Sequence, residues 1–201
     1  MKHYLIGLFT LLLTIPTFGQ EVETPWTHTV VTDIFNVRYN TDYQQPVRVI
    51  YEITCPNGNE SRSGMDFYVP DDIDFVTSDD DDYSNNVWDK GHMAPAAAFS
   101  CTKEELKSTF SYLNSALQHE GLNRGTWSRL EEFERNLAVF YPDLLVHIDV
   151  LFDEDGERLP TGALIPTGFR KTLFFDGKAH VFLFPNQSTT GTDFMDYYIK
   201  E

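Results

Sequence analysis

Cysteine is nearly absent from this chain: Cys55 and Cys101 are its only two. Neither has a second Cys or a His at metal-ligand spacing, which excludes a structural zinc site of the finger or ribbon kind. Two thiols build no multi-bridge framework, so the pair can be either free or joined, an oxidising compartment permitting the bond. Cations are scarce too, 15 Lys and Arg against 31 Asp and Glu, for a formal net charge of −16. Phosphate backbones are held by cation contacts and counterion release, so this balance excludes a general nucleic-acid coat protein. It leaves room for an enzyme that needs a few local cations and a metal. After the first twenty residues no apolar run approaches the length of a membrane-spanning helix. Also missing are a Gly-x-Ser-x-Gly elbow, a phosphate-binding glycine loop and an interleaved basic–aromatic stripe for stacking single strands. There is no internal repeat, linker or low-complexity tract.

What is present begins with an address. Lys2 and His3 form a positive start, Leu5 to Leu13 an apolar core, and Thr17-Phe18-Gly19 a small-residue end. This run is too short to cross about 30 Å of hydrocarbon, and residues 1–20 read as a cleaved secretory signal peptide. Export to the periplasm or the medium, without a membrane anchor, is the expectation. Residues 21–201 are expected to form one domain with a sizeable core, at 41% hydrophobic and 14% aromatic content.

Hydrophobic periodicity predicts a mixed α+β chain. Val47 to Thr54 has strand composition, and Cys55-Pro56-Asn57-Gly58-Asn59 ends it in a turn. Pro70 to Asp82 reads as a solvated acidic loop, because no calcium-ligand spacing follows its aspartates. Thr102 and Glu105 make a capping-box pattern that opens a short helix. Trp127, Leu130, Phe133 and Leu137 recur at helical spacing on one long helix starting at Asn123. Leu144 to Leu151 reads as a buried strand. Phe169 to Phe175 and Ala179 to Phe184 flank Asp176-Gly177, a hairpin signal.

The chemistry centres on Asp89-Lys90-Gly91-His92-Met93-Ala94-Pro95. A Gly before a His lets a ligand or a second backbone approach the ring, and a neutral imidazole can take a proton from water. His28, His119, His147 and His180 share no spacing and read as surface or strand residues. A second constellation follows: Asn114, Gln118, Asn123-Arg124-Gly125-Thr126-Trp127, Glu131 and Arg135. On one helix Asn123, Trp127 and Glu131 stand at successive four-residue steps, and Glu131 can pair with Arg135.

These blocks carry a resemblance. Asp89 to Ala96 resembles the Asp-Arg-Gly-His signature of the DNA/RNA non-specific endonucleases, the ββα-metal-finger family. Leu113-Asn114-Ser115-Ala116-Leu117-Gln118 resembles its Ser-Asn-x-x-Pro-Gln block. Leu122 to Trp127, with Leu130-Glu131 and Arg135, resembles its metal-binding helix. Arg62 and Phe67 fall where the family has an Arg before an aromatic, and the match runs in order from about His28 to Asn186. The resemblance implies an α+β fold, a mixed or antiparallel sheet core carrying a ββα-metal (His-Me) finger. It implies metal-dependent hydrolysis of DNA and/or RNA phosphodiesters with little sequence preference, leaving 5′-phosphate and 3′-hydroxyl ends. His92 would be the general base and Asn123 the ligand of Mg²⁺, with Mn²⁺ as a substitute. Glu131 would act from behind the metal and Asn114 would support the site. Arg62 and Arg135 would clamp the phosphate, and Lys90, Arg124 and Gln118 would touch substrate.

Three departures from the family pattern bear on rate and substrate range. Lys90 keeps the charge of the signature's Arg but loses its two-pronged geometry. Leu113 and Leu117 stand where Ser and Pro are usual, and Asp149-Val150-Leu151 replaces an expected Thr-Gly-Pro. Two other readings use the same residues: an exported nucleic-acid-binding module of this fold without turnover, and a phosphodiesterase acting on smaller esters. The sequence leaves the oligomeric state open.

Overall fold

Alternating burial along the strands lays down the sheet that carries everything else. The computed structural model describes residues 24–200, so the expected leader over residues 1–20 lies outside the described residues. In chain order the strands are β1 (His28–Val31), β2 (Asn36–Asn40), β3 (Gln45–Glu52), β4 (Trp88–His92), β5 (Ser115–His119), β6 (Leu145–Leu151), β7 (Gly168–Phe175), β8 (Lys178–Pro185) and β9 (Tyr198–Ile199). A seven-stranded sheet runs in the order β1-β2-β3-β6-β7-β8-β9, every pairing antiparallel, and β4 with β5 forms a separate antiparallel pair. In β6, Val146, Ile148 and Val150 are wholly buried while His147 and Asp149 face the half-open side. That strand is therefore one-sided rather than buried on both faces. Its partner β3 sets Val49 opposite Ile148 and Tyr51 opposite Val146, which closes the core between distant parts of the chain.

The β7–β8 turn follows the sequence signal. Asp176 and Gly177 both have positive φ, 51° and 67°, the pattern of a two-residue hairpin turn whose twist matches its strands. Thr102 caps the short helix α1 (Lys103–Ser108) as expected, its Oγ1 accepting from the Glu105 N–H at 3.2 Å. The helix read from Asn123 onward is corrected. It is a short helix α2 (Glu120–Leu122), a widened π turn over Asn123–Trp127, and then α3 (Ser128–Ala138). Gly125 sits at φ −108° and ψ −113°, outside helical geometry. Thr189 of the loop after β8 presses here: its hydroxyl lies 2.7 Å from that of Thr126. Beyond the break, Trp127 and Leu130 are buried, and Trp127 packs against Phe169 and Phe184 of the sheet at 5.4 and 5.6 Å. Among the described residues no helix is long and apolar enough to cross a membrane.

Cys55 and Cys101 are joined, 46 residues apart in sequence. Gly58 lies so close beneath the bond that a Cβ there would stand 2.5 Å from the Cys55 sulfur and 2.4 Å from Ser100. The Glu60 N–H donates to the Ser100 carbonyl at 2.8 Å. The segment leading to Arg62 is thereby stapled to the chain just after His92. A closed loop of this length stabilises by about 4 kcal/mol on chain-entropy grounds. Replacing both cysteines by Ala is expected to lower the urea-unfolding free energy by about that much; an unchanged midpoint would show the bond to be ornamental.

Candidate active site

The site is built on β4 and β5, which pair with Asp89 opposite Gln118 and His92 opposite Ser115. Strand alternation places Lys90 and His92 on one face, Asp89 and Gly91 on the other. Gly91 has no room for a side chain, since a Cβ would meet the Gln118 Cβ and Oε1 at 2.5 Å. Gln118 has no exposed surface. The expectation that it touches substrate is corrected: it packs against Gly91 and sets the spacing of the two strands. Asn114 is equally buried, with its amide committed inward. Its Oδ1 accepts from the Ala94 N–H at 2.7 Å, and its Nδ2 donates to the carbonyls of Ala94 and Thr109 at 2.8 and 2.9 Å. Its own carbonyl takes the Met93 N–H at 2.9 Å. Asn114 therefore locks the turn that follows His92 and reaches no substrate.

The His92 ring lies between Phe67 and Phe110, with ring centres 4.9 Å from each. Part of the ring is open, but Nε2 is buried and has no hydrogen-bond partner among the described residues. Burial first, and the nearby Arg62 charge second, lower its pKa to about 4. At neutral pH it is an uncharged base. Asp89, whose side of the strand faces the helix, is not among the causes. Arg62 is exposed on its stapled loop, and no ion-pair partner holds it among the described residues.

Lys90 is a different case. Its Nζ pairs with Asp80 and lies 5.2, 5.8 and 5.4 Å from the ring centres of Phe67, Tyr83 and Tyr112. The Tyr112 hydroxyl donates to the same Asp80 oxygen at 2.6 Å. Hydrogen bonds from Lys90 and then Tyr112 hold the Asp80 carboxyl below its usual range. The charge expected to meet substrate is thus already matched by a carboxylate. The acidic loop is correspondingly not all solvated: Asp82 is buried and accepts from the Thr161 hydroxyl at 2.5 Å.

Asn123 begins the π turn, half-buried, with Nδ2 donating to Asp89 Oδ2 at 2.9 Å. A carboxylate only accepts, so the nitrogen must face Asp89 and Oδ1 is turned away from it. Arg124 forks onto the same carboxylate, Nε to Oδ2 at 2.9 Å and a terminal nitrogen to Oδ1 at 2.6 Å, and also reaches Glu120 at 3.0 Å. Arg124, expected to touch substrate, is exposed, and its guanidinium orients Asp89, which orients Asn123. His92 lies three residues along β4 from Asp89, roughly 10 Å at about 3.3 Å per residue. Among the described residues there is no group of three or more His, Cys, Asp or Glu able to hold a metal. A single amide oxygen suits Mg²⁺, which keeps most of its waters and takes its remaining ligands from phosphate. The residues fit that ion.

Glu131, on α3, is half-buried. Its carboxyl is pushed up to about 7, burial raising it most, Lys171 opposing, Glu134 raising it further, and Arg135 and Trp127 lowering it. The expected Glu131–Arg135 pairing is corrected. Arg135 donates to the backbone carbonyl of Glu131 at 3.1 Å, as a residue one turn along a helix can.

A model of the DNA/RNA non-specific endonuclease family matches residues 19–199. The chain belongs to that family. It is 28% identical to mitochondrial endonuclease G of Bos taurus over 131 residues, 59% of this chain and 44% of that protein. It is 32% identical to nuclease C1 of Cunninghamella echinulata var. echinulata over 136 residues, 59% and 54% of the two. With the nuclease of Serratia marcescens it shares 30% over 122 residues, 55% and 45%. The chain spans about half the length of these curated relatives. A solved EndoG in complex with EndoGI superposes with a TM-score of 0.76 at 25% identity, covering 88% of this chain and 81% of that one.

Within this endonuclease fold, sequence reasoning missed a buried set under α3. Lys171 of β7 has no exposed surface; its Nζ is 2.7 Å from Glu134 Oε1 and 4.1 Å from the centre of the Trp127 ring. The Tyr51 hydroxyl donates to the other Glu134 oxygen at 2.8 Å. One signal was available: strand alternation puts Lys171 on the same face as Phe169 and Leu173, where a lysine needs a buried partner. Asp89, read from sequence only as a neighbour of His92, proves to be the hub that joins Asn123 and Arg124.

Proposed function

We propose that this family member is an exported, Mg²⁺-dependent endonuclease that hydrolyses DNA and/or RNA with little sequence preference, leaving 5′-phosphate ends. The observation that carries the reading is the Asn123 amide, turned by Asp89 so that its oxygen is the atom on offer, on the same finger as a neutral, buried His92. A phosphodiester resists attack because its anionic oxygens repel nucleophiles and its alkoxide leaves poorly. The neutral His92 imidazole takes the proton of the attacking water through the part of the ring left open. Arg62 neutralises the non-bridging oxygens with its forked guanidinium, Arg135 assisting. Asn123 Oδ1 would hold the Mg²⁺, which when bound would supply positive charge to the leaving oxygen; Mn²⁺ accepts the same kind of oxygen ligand. Glu131, when ionised, orients the groups around that ligand. Export rests on the composition of residues 1–20.

The test is incubation of the mature protein with plasmid DNA and with RNA, with Mg²⁺, Mn²⁺ or a chelator. Metal-dependent cleavage with 5′-phosphate ends is expected, and loss of cleavage in chelator. No cleavage of either polymer under any metal would sink the reading. The net charge of −16 and the engagement of Lys90 by Asp80 favour a second reading, a binding module without turnover. The same assay separates them: that module retards the plasmid without cutting it.

A further inference from the structure

We propose that Asp80 is a built-in competitor for substrate, its Oδ1 occupying a phosphate-oxygen subsite formed by Lys90 Nζ and the Tyr112 hydroxyl. The inference rests on the endonuclease reading above and names part of the surface that holds the nucleic-acid backbone. Lys90 Nζ and the Tyr112 hydroxyl both donate to the one oxygen, Asp80 Oδ1, the hydroxyl at 2.6 Å. Two donors converging on a single anionic oxygen suit a non-bridging phosphate oxygen equally well. Lys90 and His92 leave the same face of β4, two residues and roughly 7 Å apart at about 3.3 Å per residue. The Phe67 ring serves both, its centre 5.2 Å from Nζ and 4.9 Å from the centre of the imidazole. The subsite therefore lies beside the base, within reach of the strand being cut.

The two sides of the ion pair are held unequally. The Lys90 ammonium sits among the rings of Phe67, Tyr83 and Tyr112, which attract it through their faces. Its side chain is 26% exposed, that of Asp80 78%. The turn that carries Asp80, Asp80–Tyr83, is anchored without help from the Asp80 carboxylate. Asp82 accepts from the Asp79 N–H at 2.9 Å and from the Thr161 hydroxyl at 2.5 Å, and the Tyr83 hydroxyl lies 2.9 Å from that of Ser115. The Asp80 side chain can therefore rotate into solvent while its turn, Lys90 and Tyr112 stay where they are. Ion pairs with an exposed partner are weak, so a phosphate that also meets Arg62 displaces the carboxylate and inherits both donors. Asp79 and Asp81 flank the same place, and their general repulsion of an anion needs a control of its own.

The experiment measures binding of a fluorescent DNA duplex by anisotropy in chelator, where nothing is cut. Asp80→Asn keeps the shape of the side chain and removes its charge. It should tighten binding by up to roughly fivefold, the upper worth of an exposed ion pair. Asp81→Asn, on the exposed neighbour, removes the same charge from the same turn and should do much less. In a Lys90→Met background the gain from Asp80→Asn should vanish, and in Tyr112→Phe it should shrink, because the cycle reads only what the paired groups share. In Mg²⁺-dependent cleavage the KM of Asp80→Asn should fall by the same factor as its duplex affinity rises. Equal gains in Asp80→Asn and Asp81→Asn, or a gain that persists in Lys90→Met, would reduce Asp80 to bulk repulsion and overturn the proposal. So would unchanged affinity in Asp80→Asn. If Asp80→Asn binds more tightly yet cuts no polymer with any metal, the hydrolytic reading fails and the subsite stands.

Discussion

Replacing His92 by Ala is expected to slow plasmid cleavage by roughly 10²–10⁴-fold, the usual worth of a general base. Binding of Mg²⁺ and of DNA should survive, because Asn123 and Asp89 meet on the helix side of β4 and owe nothing to the imidazole. The pH dependence adds a second check. A base works when neutral, and His92 titrates at about 4 because burial and then Arg62 disfavour its charged form. Its contribution to turnover is therefore complete by mildly acidic pH. A further rise in rate nearer neutrality is expected from Glu131, whose carboxyl burial pushes up to about 7. Glu131→Gln should remove that upper limb while leaving the lower one. The same burial makes the fold acid-sensitive. Unfolded His protonates near 6.5, so the stability held by neutral His92 is complete above that value and is lost as pH falls toward about 4. Initial rates from pH 4 to 9 decide the matter: a His92→Ala protein as fast as its parent, with contaminating nuclease excluded, would end the assignment.

Loss of the Asn123 amide should have the next largest effect. Asn123→Ala removes the protein's oxygen ligand, so half-maximal activity should require far more Mg²⁺, with partial recovery at high metal. Asp89→Asn tests the orienting shell alone. It leaves Asn123 in place but takes away the charge and one of the two acceptor oxygens that turn its amide and anchor Arg124. Such outer partners are worth about 10–100-fold in metal affinity, so Asp89→Asn should fall between parent and Asn123→Ala. Calorimetric titration with Mg²⁺ and Mn²⁺ reads both. Unchanged metal affinity in Asp89→Asn would mean that the amide is not held for a metal.

The residues that the sequence put forward did not all keep the roles that their order suggested. Asn114 and Gln118 stand in the right blocks, yet both are buried and act by locking the chain around His92 and Gly91. Arg124 and Lys90 carry the charges that a phosphate would want, yet Asp89 and Asp80 take them first. Charge is visible in a sequence, but whether it is already neutralised depends on partners 35 and 10 residues away.

Local physics made much of the rest legible. Positive φ at Asp176-Gly177, the cap at Thr102, the alternation through β3 and β6, and the Gly before His92 are all properties of a few neighbouring residues. By themselves they determined an α+β chain with a histidine at the end of a strand. The break at Gly125 lies where Thr189, from the loop after β8, meets the turn. The Cys55–Cys101 bond and the Lys171–Glu134 pair likewise join segments that are far apart in the chain. Tertiary structure alone chose these partners, and burial, with charges brought close through space, set the proton affinities of His92 and Glu131. Desolvation and charge pairing act through space, and no local pattern in the chain records which distant segment will close over a given side chain.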